Sequence, residues 1–147
     1  MSSWDKAVIL PVDPVDLDYY WPFVSEYISS ALEHTDGEIS LQDIHSAIAN
    51  HNRQLWVIKD QSQYIAAVVT QIYSYDGSGV KIGEVTLAGG RDHARWDHFT
   101  DLVGEWFQEQ GCKFIDIIGR PGWQRIYKDR GFRTAYVQLR KELKDVD

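Results

Sequence analysis

Two adjacent glycines followed by arginines stand inside the 147-residue chain, at Leu87-Ala88-Gly89-Gly90-Arg91-Asp92. A strand that ends in glycines and opens onto a helix turns unpaired backbone N–H groups toward one point, which suits an anion. Arg91 and Arg95 stand at the same end, and a pyrophosphate is the natural ligand of such a nest. The same pair of glycines also serves a plain tight turn. Asp92 and Asp97 suit the positive end of the following helix, and there they compete with a phosphate. The histidines at 34, 45, 51, 93 and 98 show no metal-ligand spacing. His93 and His98 lie five apart on the expected helix and read as surface residues. The lone Cys112 excludes a disulfide framework and a cysteine-rich zinc site. No metal is expected.

Charge points the same way as the glycines. The net charge of −7 argues against general nucleic-acid binding. It is also unevenly spread: −11 over residues 1–112, +6 over 113–141 and −2 over the last six. A basic segment in an acidic chain suggests a localised anionic partner, although a solvated basic face gives the same count. No apolar run reaches the ~20 residues that span a bilayer. The first residues lack the pattern of a secretory signal, and a cytoplasmic location is expected.

The elements that would position these residues follow from periodicity. Ala7 to Leu10 reads as a strand ended by Pro11. Apolar residues at Leu17, Tyr20, Trp21, Val24, Tyr27, Ile28, Ala31 and Leu32 form one face of a helix over about 15–34, with Pro22 as a kink or a late start. Ser40 to Asp43 is a capping box for a second helix. Leu55–Ile58, Tyr64–Tyr73 and Val80–Leu87 read as three strands joined by short turns, an antiparallel meander. A helix is expected from about Asp92 to Gln110, with Trp96 and Trp106 on its core face. A strand at Phe114–Ile118, a short helix at Pro121–Arg130 and a last strand at Thr134–Leu139 follow. Trp123 reads as core packing, while Trp4 and Trp21 have no clear place. The order β-α-α-β-β-β-α-β-α-β describes a single mixed α/β domain over 1–147 with helices on both faces of a central sheet.

This order, with its turns and glycines, resembles the GNAT superfamily of acetyl-coenzyme A-dependent N-acyltransferases over roughly the whole chain. Glu84 to Ala88 is similar to the family's fourth strand, whose main chain binds the pantetheine arm and splays from the next strand. Gly89-Gly90-Arg91 stands where the family has a pyrophosphate loop, usually a longer Gln/Arg-x-x-Gly-x-Gly/Ala. Tyr127-Lys128-Asp129-Arg130-Gly131-Phe132 matches the family's Tyr-x-x-x-Gly-Phe, in which the Tyr hydroxyl protonates the departing thiolate. Arg120 takes the place of an Asn found seven residues before that Tyr in many members. A guanidinium there grips a phosphate or carboxylate but does not mimic the amide. The stretch from Ala88 to Trp123 also resembles small GNAT-like proteins encoded by tailed bacteriophages.

The resemblance implies direct acetyl transfer from acetyl-CoA to an amine in a bacterial host cytoplasm. Glu84 would be the base and Tyr127 the acid. Thr86, Leu87, Ala88, Gly89, Gly90, Arg91, Arg95 and Arg120 would hold the cofactor. The acidic stretch Glu33 to Asp43, where the family selects its acceptor, favours a cationic amine. The shortened loop suits a different reading as well: a catalytically silent GNAT-fold protein that docks on a host enzyme or another phage protein. A sheet edge at Tyr136 to Leu139 offers pairing with a second copy. Nucleic-acid binding through the basic segment ranks last, because its aromatic residues fall on expected core positions.

Overall fold

The computed structural model describes residues 7–144; Trp4 and the first residues lie outside them. Strands β1 (Val8–Pro11), β2 (Gln54–Asp60), β3 (Gln63–Ser74), β4 (Lys81–Gly90) and β5 (Phe114–Ile117) form one sheet in sequence order. The first four pair antiparallel and β5 joins β4 in parallel. Pro11 can occupy β1 because that strand is a sheet edge, where a missing N–H costs no ladder bond.

Alternation along the strands divides the core into two faces. Leu55, Val57, Ala67, Val69 and Leu87 pack under α1 (Leu17–Leu32) and α2 (Leu41–Ala49) through Val24, Ile28, Ile44 and Ile48. Trp56, Ile58, Val68 and Val85 pack on the other face against Trp96, Phe99, Val103 and Phe107, the last three from α3 (Phe99–Glu109). Tyr127 from α4 (Gly122–Lys128) belongs to that second cluster. The expected single mixed α/β sheet with helices on both faces is the observed one.

Several boundaries differ for physical reasons. The helix opens through a 3-10 turn at Pro14–Asp16, capped by the Asp13 carboxylate, and runs through Pro22 without ending. Ser40 and Asp43 form the capping box as expected. The two glycines are not a loop between strand and helix, because β4 runs through both. Gly89 lies against α1, where a Cβ would stand 2.3 Å from the Tyr27 carbonyl oxygen, and Gly90 lies against the backbone of Ile65 and Ala66. Their smallness is used for close packing.

The helix expected from Asp92 begins only at Phe99. Asp92 adopts a left-handed conformation, and His93–Arg95 form a 3-10 turn. Trp96 is drawn into the core, with its indole N–H donating to the Arg91 carbonyl at 2.8 Å. The last strand does not form: residues 134–143 have no regular structure, and Tyr136, Val137 and Leu139 are exposed. Alternation alone does not make a strand without a neighbouring ladder to join. Gln124 bonds Thr134 at 3.0 Å, and Arg140 reaches Asp36 at 2.7 Å and Glu38. The edge expected at Tyr136 to Leu139 is therefore absent from the sheet, whose edge on this side is β5.

Candidate active site

The site is set by where β4 and β5 part. Their pairs run from Ile82 with Phe114 to Val85 with Ile117, and the Ile118 N–H closes on the Val85 carbonyl at 3.1 Å. β4 then continues through Gly90, and among the described residues no strand lies beside Thr86 to Gly90 on that side. A β-bulge stands at the same point. Val69 faces Leu87 while Thr70 faces Val85, so Thr86 has no partner across β3. A bulge bends and twists its strand, and here it re-aims β4 where the gap opens. Nothing in the sequence marks Thr86 as that residue.

On the α1 face of this opening, four strands bring a row of polar groups together. Glu84 is 8% exposed, and its Oε1 accepts from Gln71 Nε2 at 2.8 Å and from Thr86 Oγ1 at 2.9 Å. Arg53, half-buried just before β2, donates to Thr86 Oγ1 at 2.8 Å. Burial lowers the Arg53 pKa and the Glu84 carboxylate opposes that shift. Asp116 pairs directly with Glu84 across β5. Burial and the Glu84 charge raise the Asp116 carboxyl, while Arg133 pulls it down. Burial, with Asp116 and Glu84, also pushes the Tyr73 phenol up. Asp116 did not emerge from the sequence as a site residue, although it was legible there as the one charge within the apolar run Phe114 to Ile118.

Tyr127 lies on the opposite face, in the same apolar cluster as Val85, Ala88 and Ile117. Its ring stacks on Trp123 (5.4 Å between centroids) and meets Phe99 and Phe132 edge-on at 6.0 and 5.7 Å. It is 2% exposed, and its hydroxyl lies 2.9 Å from His93 Nε2. Burial pushes this phenol far up, with Asp97 adding to the shift. His93 is therefore not the surface residue the spacing suggested, and the delayed start of α3 is what turns it inward. Trp123 is core packing, as expected.

The expected phosphate arginines point elsewhere. Arg91 donates to Gln63 at 2.7 Å, and Arg95 makes a bidentate pair with Asp60 at 3.1 and 2.9 Å. Both serve the β2–β3 turn. Arg120 is exposed in the loop between β5 and α4. Thr86, Leu87, Ala88, Gly89 and Gly90 all lie on the unpaired length of β4. A separate cavity of about 270 Å³ between Pro11, Arg53, Trp56 and Trp106 contains neither Glu84 nor Tyr127. Among the described residues, no group of three His, Cys, Asp or Glu could hold a metal ion. No helix among them is long and apolar enough to cross a membrane.

No known family profile matches the sequence, and no curated protein is similar to it at a significant level. Solved structures do match. A probable acetyltransferase superposes with a TM-score of 0.69 at 12% identity, over 95% of this chain and 99% of that one. Glucosamine-6-phosphate N-acetyltransferase from Arabidopsis thaliana gives 0.64 at 13% identity, over 95% and 100%. A predicted acetyltransferase from Clostridium acetobutylicum, solved with acetyl-CoA, gives 0.63 at 15%, over 91% and 96%. With a parallel β5 added to an antiparallel meander, a bulged β4 and a gap between the two, the chain has the fold of the GNAT acetyltransferases.

Proposed function

We propose that the protein is an acetyl-CoA-dependent N-acetyltransferase acting on an amine, encoded by a bacteriophage and working in the bacterial host cytoplasm. The observation that carries the reading is the parting of β4 from β5 at Val85 and Ile117, with Glu84 on one face of the opening and Tyr127 on the other. The residues present fit the cofactor: Thr86 to Gly90 offer an unpaired strand edge to an extended amide-bearing arm, as β-augmentation does for peptides. Arg120, exposed in the loop that follows β5, would add a guanidinium fork for phosphate. When bound, acetyl-CoA supplies a thioester, an acyl donor reactive toward amines.

The chain's own residues supply the rest. Glu84 takes a proton from the acceptor ammonium, directly or through a water, so that the nitrogen lone pair can attack the carbonyl carbon. A β4 N–H beside the bulge stabilises the oxyanion that forms as the C–N bond is made. As the C–S bond breaks, Tyr127 gives its hydroxyl proton to the sulfur. The acidic groups beside the opening, Glu84 and Asp116, favour a cationic amine. Titration calorimetry with acetyl-CoA tests the reading, and no heat at millimolar ligand rejects it. Tyr127→Phe should lower kcat with little change in acetyl-CoA affinity, and an unchanged kcat removes the acid role.

One observation favours a second reading. Arg91 and Arg95 are held by Gln63 and Asp60 rather than turned to the gap. This suits a protein that has kept the fold without turnover and docks on a host enzyme or another phage protein. A stoichiometric partner recovered from bacterial lysate, together with no acetyl-CoA binding, selects it.

A further inference from the structure

We propose that His93 is a positioning residue for the reaction: its ring nitrogen sets which way the Tyr127 hydroxyl points. The inference rests on the acetyltransferase reading above and on Tyr127 as its acid. His93 Nε2 lies 2.9 Å from the Tyr127 oxygen, and among the described residues no other polar group reaches that oxygen. Aromatic rings close the surroundings. His93 stands edge-on to Trp96 at 4.5 Å and lies against Trp123 at 5.3 Å, while Phe99 and Phe132 flank the phenol.

A phenol in such a box has one adjustable contact, so the tautomer of His93 decides its function. With the proton on Nε2, His93 donates to the Tyr127 oxygen, and the phenolic O–H is free to turn to a leaving thiolate. With Nε2 bare, His93 accepts the phenolic proton and withdraws it from the reaction. The donating form also solves an energetic problem. A buried phenol is a poor acid because its anion would be stranded in an apolar site. An N–H aimed at that oxygen stabilises the phenolate as it forms.

The proton balance closes. The O–H bond of Tyr127 breaks as the S–H bond forms, the phenolate takes a replacement proton from solvent, and His93 keeps its Nε2–H throughout. The charged groups around the pair are Asp97, which faces both rings, Arg130, which opposes it, and Asp101 beyond Tyr127. Arg130 ties the two carboxylates together at 3.3 and 2.9 Å. Burial lowers the His93 pKa and Arg130 adds to that effect, so the ring is neutral at pH 7 and its tautomer is set by its neighbours.

The test uses the full chain, acetyl-CoA as donor and spermidine or water as acceptor. His93→Phe should lower kcat by about tenfold or more, a share of what a general acid contributes, with acetyl-CoA affinity within about threefold of wild type by calorimetry. His93→Gln, whose side-chain amide can donate to the same oxygen, should recover most of that loss. The wild-type kcat should show a limb with an apparent pKa below 6.5 that His93→Gln lacks. In a Tyr127→Phe background, His93→Phe should cost nothing further. An equal cost in that background, or superimposable pH profiles for wild type and His93→Gln, overturns the His93 role alone. A Tyr127→Phe enzyme with full kcat overturns the acid role beneath it, and no transfer to either acceptor overturns both.

Discussion

Gly89→Ala tests what the glycine pair is for. An added Cβ would stand 2.3 Å from the Tyr27 carbonyl oxygen and 3.3 Å from the Ala31 methyl, both on α1. An ordinary carbon–oxygen contact needs roughly an ångström more, and backbone of a packed helix cannot supply it by a rotamer change. α1 must shift as a body over Leu87 and Val69, which it covers. Overpacking of this kind costs about 1–3 kcal/mol, which for a chain of this size lowers Tm by roughly 2–4 °C for each kcal/mol. Gly77→Ala is the control, since nothing lies within 4 Å of its added Cβ and its φ is ordinary. Thermal and urea unfolding of both variants read the difference directly. If the Gly89 variant melts with wild-type Tm while acetyl-CoA affinity collapses, the pair is a phosphate cradle and the packing argument is wrong.

Asp116→Asn should stabilise the protein at neutral pH. The folded carboxyl is raised above 3.8 by burial and by Glu84, so below the unfolded pKa both states are protonated and nothing is lost. As pH rises through the folded pKa, the unfolded chain gains by ionising more easily, and stability falls. The variant's advantage in Tm should therefore be present at pH 7 and vanish below about pH 4; an advantage equal at both pH values contradicts it. Arg140→Ala should leave Tm unchanged but release residues 133–144 from Asp36 and Glu38. Limited proteolysis should then cut that segment several-fold faster, as 0.5 M salt should do in the wild type. Cleavage at the wild-type rate would show that the clamp does not hold the segment.

Much of the fold was legible because it is written in short-range periodicity. The α1 face, the Ser40 capping box, the three-strand meander and the burial of Trp56 all follow from spacing within a few residues. The errors arise where tertiary contacts decide. Asp92 to His98 carries a helical pattern, yet burial of the Trp96 indole and the Arg95–Asp60 pair hold it in a 3-10 turn. Thr134 to Leu139 alternates like a strand but has no ladder to join. The candidate site was legible in part. Glu84 and Tyr127 were named from the sequence, while the places of Asp116 beside Glu84 and of His93 beside Tyr127 were not. A strand register put Asp116 beside Glu84, and a non-helical turn put His93 beside Tyr127. Neither relation has a signature in local sequence.

Part of the uneven charge, first a hint of an anionic partner, is satisfied within the chain. Arg130, from the basic segment, pairs with Asp97 and Asp101, and Arg140 with Asp36 and Glu38. Arg133 faces Asp116. Exposed pairs contribute little to stability, so their effect is on placement: they lay the C-terminal segment from α4 past Asp116 toward the turn after α1. Charge that pairs internally is not available to a ligand. Among the described residues of the basic segment, Lys113, Arg120, Arg125, Lys128, Arg133 and Lys141 make no ion pair, and Arg120, Arg125 and Lys128 lie in or just before α4. Arg91 and Arg95, beside the glycine pair, are committed to the β2–β3 turn. Exposed positive charge that stays unpaired is therefore found after β5, in the loop and helix that carry Arg120, Arg125 and Lys128, and not at the glycine pair.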